Sequence, residues 1–109
     1  MWIFTTKGFV SAIYSNGNII IRSRNKQHLK NLFPNEDILE TGKDYPYRIT
    51  IPKNKFIETM SKEMENINYH NFKDTVSDPF YHQFLTNIWI QGLNYEDTLN
   101  VKNKSIYNK

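Results

Sequence analysis

The pattern of hydrophobic and polar positions gives its strongest local signal in Phe9 to Arg24, FVSAIYSNGNIIIRSR, where two β-rich runs flank Asn16-Gly17. That dipeptide tolerates the positive φ angles of a type I′ turn, so the pattern predicts a two-residue hairpin with Ser15 opposite Asn18. Side chains alternate along a strand, which places Ile19 and Ile21 on one face and Ile20, Arg22 and Arg24 on the other. Met1 to Thr6 alternates in the same way and reaches Phe9 through a tight turn at Lys7-Gly8, making the first 24 residues a three-stranded meander. Tyr45 to Ile51, YPYRITI, has the period of a strand, with Tyr47, Ile49 and Ile51 on one face and Arg48 and Thr50 on the other. Asp37 to Thr41 is a weaker strand suited to a sheet edge.

Between and after these runs the period changes to that of a helix. Asn25 has the character of an N-cap for a short helix that buries Leu29, Leu32 and Phe33 and stops at Pro34. Pro52 opens a second helix, Lys53 to Ile67, with Phe56, Ile57, Met60, Met64 and Ile67 at helical spacing as core residues. Tyr69 to Ser77 is irregular or one helical turn. Asp78-Pro79 starts a third helix, expected to run to about Gly92 and to bury Phe80, Phe84, Leu85, Ile88 and Trp89. The order β-β-β-α-β-β-α-α predicts an α+β domain over residues 1–92, with a mostly antiparallel sheet of about five strands and helices mainly on one face. Its β-α-β-β-α portion follows a ferredoxin-like order, and residues 93–109 read as a polar, loosely ordered tail.

Composition narrows the setting. A chain of 109 residues can bury one core without disulfides, and it has no cysteine to make any. This removes thiol catalysis and cysteine-based metal centres and fits a cytoplasmic protein. No apolar run approaches the roughly 20 residues that cross a bilayer, and no signal-peptide pattern opens the chain. The net charge of +3 comes from Lys102, Lys104 and Lys109. A neutral body argues against extended nucleic-acid binding.

Eleven of the 14 basic residues are lysine, leaving Arg22, Arg24 and Arg48 as the only arginines. If the strands that carry them are neighbours, three planar guanidinium forks project from one sheet face. Such a cluster repels itself unless a carboxylate or a bound anion neutralises it. Tyr45 and Tyr47, with Tyr14 and Trp2, are available to stack on a nucleobase, and Asn71 and Lys73 could close the site. The competing explanation is that the arginines protect a sheet face or edge and the tyrosines fill the core.

His70, Asp74, Asp78 and His82 recur every four residues, but Pro79 breaks the helix that would align them as a metal site. His70 or His82 as a general base, with Lys73 opposite developing charge, would suit a hydrolase. No Gly-rich phosphate loop, Walker sequence, nucleophile elbow or HExxH accompanies them. No cofactor or metal is implied.

The opening MWIFTTKGF, then RSR, DYPYR, YHNFKD and a later YH followed by IW, resemble a family of short, uncharacterised bacterial and phage proteins over about residues 1–92. The resemblance singles out Trp2, Gly8, Arg22, Arg24, Asp44, Tyr45, Tyr47, Arg48, Asn71, Phe72, Lys73, His82 and Trp89 and implies no activity. The leading expectation is a small binding protein that captures an anionic, nucleotide-like ligand through Arg22, Arg24, Tyr45, Tyr47, Arg48, Asn71 and Lys73, in a phage setting as an anti-defence sequestering protein. The alternative is a protein-interaction module that inhibits a larger host enzyme through Phe80, Tyr81, Tyr95 or the tail. Whether the chain forms a homodimer, and whether its first strand pairs across one, is left open by the sequence.

Overall fold

The computed structural model describes the backbone of residues 1–107 and the side chains of residues 1–102. Its elements are β1 (Trp2–Thr5), β2 (Gly8–Ser15), β3 (Asn18–Ser23), α1 (Lys26–Leu32), β4 (Leu39–Glu40), β5 (Tyr47–Pro52), α2 (Lys53–Glu65), a 3-10 turn at Lys73–Thr75, and α3 (Pro79–Tyr107). The expected α+β order holds. By internal contacts the chain divides into two units, Met1–His70 and Asn71–Lys109.

In the first unit the strands form one antiparallel sheet in the order β1-β2-β3-β5-β4. Asn16 and Gly17 adopt φ of +48° and +82°, the two positive values that a type I′ turn requires, and Ser15 pairs with Asn18. That turn sets the register of everything beside it. Ile19 and Ile21 of β3 lie opposite Ile51 and Ile49 of β5, and Arg22 lies opposite Arg48. Because β5 sits between β3 and β4 and runs antiparallel to both, β3-α1-β4 is a split β-α-β unit, the ferredoxin-like portion of the fold. Among the described residues no strand follows α2 to complete that circuit; β2 occupies the place beside β3.

One sheet face makes the core. Val10, Ala12, Ile19, Ile21, Ile49 and Ile51 bury against Leu29, Leu32 and Phe33, with Phe56 and Met60 of α2 packed at the margin. Asn25 caps α1 by accepting the Gln27 N–H at 2.9 Å, which satisfies one of the donors left open at a helix start. His28 of α1 accepts the Phe9 N–H at 3.1 Å. Gly8 permits that approach, since a Cβ there would lie 2.4 Å from the Cβ of His28.

Helix α2 departs from expectation. Phe56 and Met60 meet the core, but Ile57 and Met64 are 53% and 70% exposed, so Met64 is not core filler, and the helix ends at Glu65, short of the expected Ile67. The apolar stripe is longer than the sheet surface that receives it, and its C-terminal part is left facing solvent.

In the second unit, Asp78 Oδ1 accepts the Phe80 N–H at 3.0 Å, and Pro79 takes the first helical position, where a missing N–H costs nothing. Helix α3 then runs through Gly92 to Tyr107, so the expected loosely ordered tail is helical as far as Tyr107. Gly92 is not among the glycines at positive φ, the conformation a terminating glycine adopts, and one interior glycine costs only about 0.5–1 kcal/mol. The buried residues are Tyr81 and Leu85, while Phe80, Phe84 and Trp89 are exposed. Aromatic and aliphatic residues occur on more than one side of this helix, so spacing alone did not choose the buried face. From Trp89 to Lys102 every residue is exposed. No helix among the described residues is long and apolar enough to cross a membrane.

Candidate functional site

Pairing of β3 with β5 brings the three arginines together. Arg22 and Arg48 are direct cross-strand partners and therefore project from the same side of the sheet, the side opposite the core. Like charges in that relation destabilise a sheet unless something offsets them. The offset comes from one dipeptide, Asp44-Tyr45, in the loop before β5. Arg48 donates from Nη2 to the Asp44 carbonyl at 2.9 Å and from Nε to the Tyr45 carbonyl at 3.3 Å. Arg24 Nη1 pairs with the Asp44 carboxylate at 2.7 Å. The guanidinium carbons of Arg22 and Arg24 lie 4.7 and 4.1 Å from the centre of the Tyr45 ring.

Tyr45 is held at φ +51°, an uncommon conformation for a bulky residue. Its ring is buried and tilts against Phe9 with centroids 6.4 Å apart. The ring expected to stack on a ligand therefore carries two arginines instead. Tyr47 faces the core with Ile49 and Ile51, on the opposite side of the sheet from the arginines. The exposed aromatic on the arginine side is Trp2, which is 70% accessible. It shares a row with Ser11, Arg22 and Arg48 and meets Phe9 edge to face at 6.2 Å. Tyr14 is also exposed, but register with Ile19 puts it on the other face.

Three guanidinium groups thus converge with one carboxylate among them. The hydrogen bond and charge of Arg24 hold Asp44 below the ordinary carboxylate range, with Arg22 adding a weaker pull, and Asp44 raises Arg24 in return. Arg22 makes no ion pair at contact distance among the described residues. It donates from Nη2 to the hydroxyl of Ser11 at 2.8 Å, and its Nε is buried without a hydrogen-bond partner. Of the clefts described, none is lined by these arginines; their outward surface is an open sheet face.

Asn71 and Lys73 belong to the second unit. Asn71 is exposed, and Lys73 Nζ lies 5.5 Å from the centre of the Trp89 ring and 3.6 Å from Asp74 Oδ1. His82 Nε2 is 3.5 Å from that same carboxylate oxygen. Asp78 is engaged as the helix cap, and His70, at the end of the first unit, is exposed. Among the described residues no three His, Asp or Glu side chains gather closely enough to hold a metal ion. Tyr81, expected as an exposed contact, is buried.

Sequence reasoning missed Ser11 and undervalued Asp44 as members of the arginine cluster. The alternation of β2 placed Ser11 on the arginine face; nothing in the order of residues revealed that Asp44 would supply both a carboxylate and a carbonyl. No family model matches the chain, and no curated protein or solved structure matches it either.

Proposed function

We propose that this protein binds an anionic, phosphate-bearing ligand of nucleotide type on the arginine face of its sheet. The observation that carries the proposal is the surplus of three guanidinium groups over one carboxylate, with Arg22 and Arg48 directly opposed on neighbouring strands. A phosphate placed against Arg22 and Arg24 would relieve that repulsion through charge-assisted hydrogen bonds. Tyr45 acts as the platform that orients the two forks, Arg48 holds the Asp44-Tyr45 loop, and Trp2 offers the exposed ring for a base. Stacking of one base contributes about 1–3 kcal/mol in single-strand binders.

A calorimetric titration with nucleoside mono- and triphosphates, cyclic dinucleotides and inorganic phosphate tests this directly. Binding of a nucleotide that is lost in Arg22→Gln and weakened in Trp2→Ala is the expected result. Absence of heat with every ligand, or affinity indifferent to Arg22→Gln, would refute it.

A second reading, that the chain is a protein-interaction module, draws on Trp89, Leu93, Tyr95, Leu99 and Val101, all exposed along α3. Under it, a purified partner would still bind Arg24→Ala and lose affinity for the double variant Trp89→Lys/Leu93→Lys. The opposite pattern would dismiss it.

A further inference from the structure

The arginine side of the sheet is open and lines none of the clefts described, whereas sites for free small molecules are concave and bury most of their ligand. What this side carries is a row and a floor. The row crosses the strands from Trp2 on β1 through Ser11 on β2 to Arg22 on β3 and Arg48 on β5. The floor lies beside it: Ile13 and Ile20 are cross-strand partners, and Thr50 of β5 lies opposite Ile20. Strand alternation puts both isoleucines on the arginine face. Ile13 is 37% exposed and Ile20 is half-buried, and neither belongs to the core cluster.

The cations beside that floor come as a pair. Arg48 is committed to the Asp44 and Tyr45 carbonyls. Arg22 and Arg24 stand two residues apart, about 6.5 Å along an extended chain, which matches the step between successive phosphates of an extended single strand. Tyr45 keeps their forks together, 4.7 and 4.1 Å from the centre of its ring. Asp44 pairs with Arg24, so the group stays net positive. From Arg22 to Trp2 is two strand spacings, about 9.5 Å, a distance that one nucleotide spans from its phosphate through the sugar to the base.

Building on the nucleotide reading above, we infer that the ligand is a short segment of single-stranded nucleic acid, two or three nucleotides long, laid across the open sheet. Adjacent phosphates sit against Arg22 and Arg24. One base stacks on Trp2, and its neighbour lies on Ile13 and Ile20. Unpaired bases offer a flat π surface to an aromatic side chain whatever their identity, and an open sheet is a general platform for them. A duplex fits poorly, because its bases are stacked on one another and its phosphates call for a longer basic stripe than two guanidinium groups supply. The neutral body of the chain agrees with so short a footprint.

The test is calorimetric titration of the full chain with uridine 5′-monophosphate, with oligouridylates and oligothymidylates of two to eight nucleotides, and with a duplex. Affinity should rise about tenfold or more from the mononucleotide to the trinucleotide and then level off, with a slope of log K against log salt near about −1.4 for two phosphates. The uridylates and thymidylates distinguish RNA from DNA as the source, and this pattern with either supports the inference. Trp2 and Ile13 are exposed, so Trp2→Ala and Ile13→Glu should keep a native circular dichroism spectrum while erasing most of the gain from length. Arg22→Gln should halve the salt slope. A mononucleotide that binds as tightly as the trinucleotide would overturn the inference and leave the nucleotide reading intact. A duplex that binds more tightly than the single strand, affinity that keeps climbing steeply to eight nucleotides, or a gain from length indifferent to Trp2→Ala and Ile13→Glu would also overturn it. Absence of heat with the mononucleotide and the oligomers alike would remove both proposals.

Discussion

Tyr45 combines a left-handed backbone with a buried ring, and its surroundings explain how both are tolerated. Two carbonyls of the loop accept from Arg48, and two guanidinium groups lie over the ring; a guanidinium over an aromatic face gains about 0.5–2 kcal/mol. Arg48→Ala removes the loop's hydrogen bonds, and urea denaturation should show a loss of about 1–3 kcal/mol. The Arg24–Asp44 pair predicts a pH effect of definite sign. Asp44 is held below its ordinary 3.8, so the pair's contribution is present above that value and disappears as pH falls through the lowered one. Asp44→Asn should therefore flatten the acid limb of a thermal-melt series; both side chains are largely exposed, so the change will be small. Gly8→Ala forces a Cβ into His28 and should cost about 1–3 kcal/mol through overpacking, readable as a lowered Tm. Gly8 illustrates what composition conceals, because the need for a missing side chain arises from a residue 20 positions away.

The β2–β3 hairpin was almost fully legible, because Asn-Gly determines turn type, turn type determines register, and register determines which residues share a face. Helix starts were legible for a similar reason: Asn25 and Asp78 satisfy local donors and need no distant partner. The end of α3 and its buried face were not. Nothing local compels a helix to stop at a single glycine, and several faces of α3 carry aromatics. Gly92 has open space where a Cβ would go, so Gly92→Ala should stabilise α3 by about 0.5–1 kcal/mol. Circular dichroism melting would show a raised helical midpoint; a destabilised helix would mean that Gly92 serves a contact made only in an assembly. The stripe on α2 had the right spacing for burial, and what it lacked was enough sheet to lie on.

At the scale of the whole molecule, the sheet, α1, α2 and every member of the main apolar cluster lie within Met1–His70. A fragment of residues 1–70 should therefore unfold cooperatively in urea, and a non-cooperative, sloping transition would show that the second unit is required for that core. If a nucleotide occupies the arginine face, ligand at 100 times its Kd should add about 2.7 kcal/mol to the stability of the intact chain. The sequence alone determined the α+β order, the hairpin register and the partition of Arg22, Arg24 and Arg48 from the core residues, because these follow from turn chemistry and strand alternation acting over a few residues. Tertiary structure alone decided that β5 pairs with β3 and so sets Arg48 against Arg22. It also decided that Asp44 and Tyr45 engage all three arginines, and that α2 and β1 leave an apolar cleft between them. Those outcomes depend on which surfaces meet across the fold, and periodicity along a chain records which side of an element is apolar without recording what will cover it.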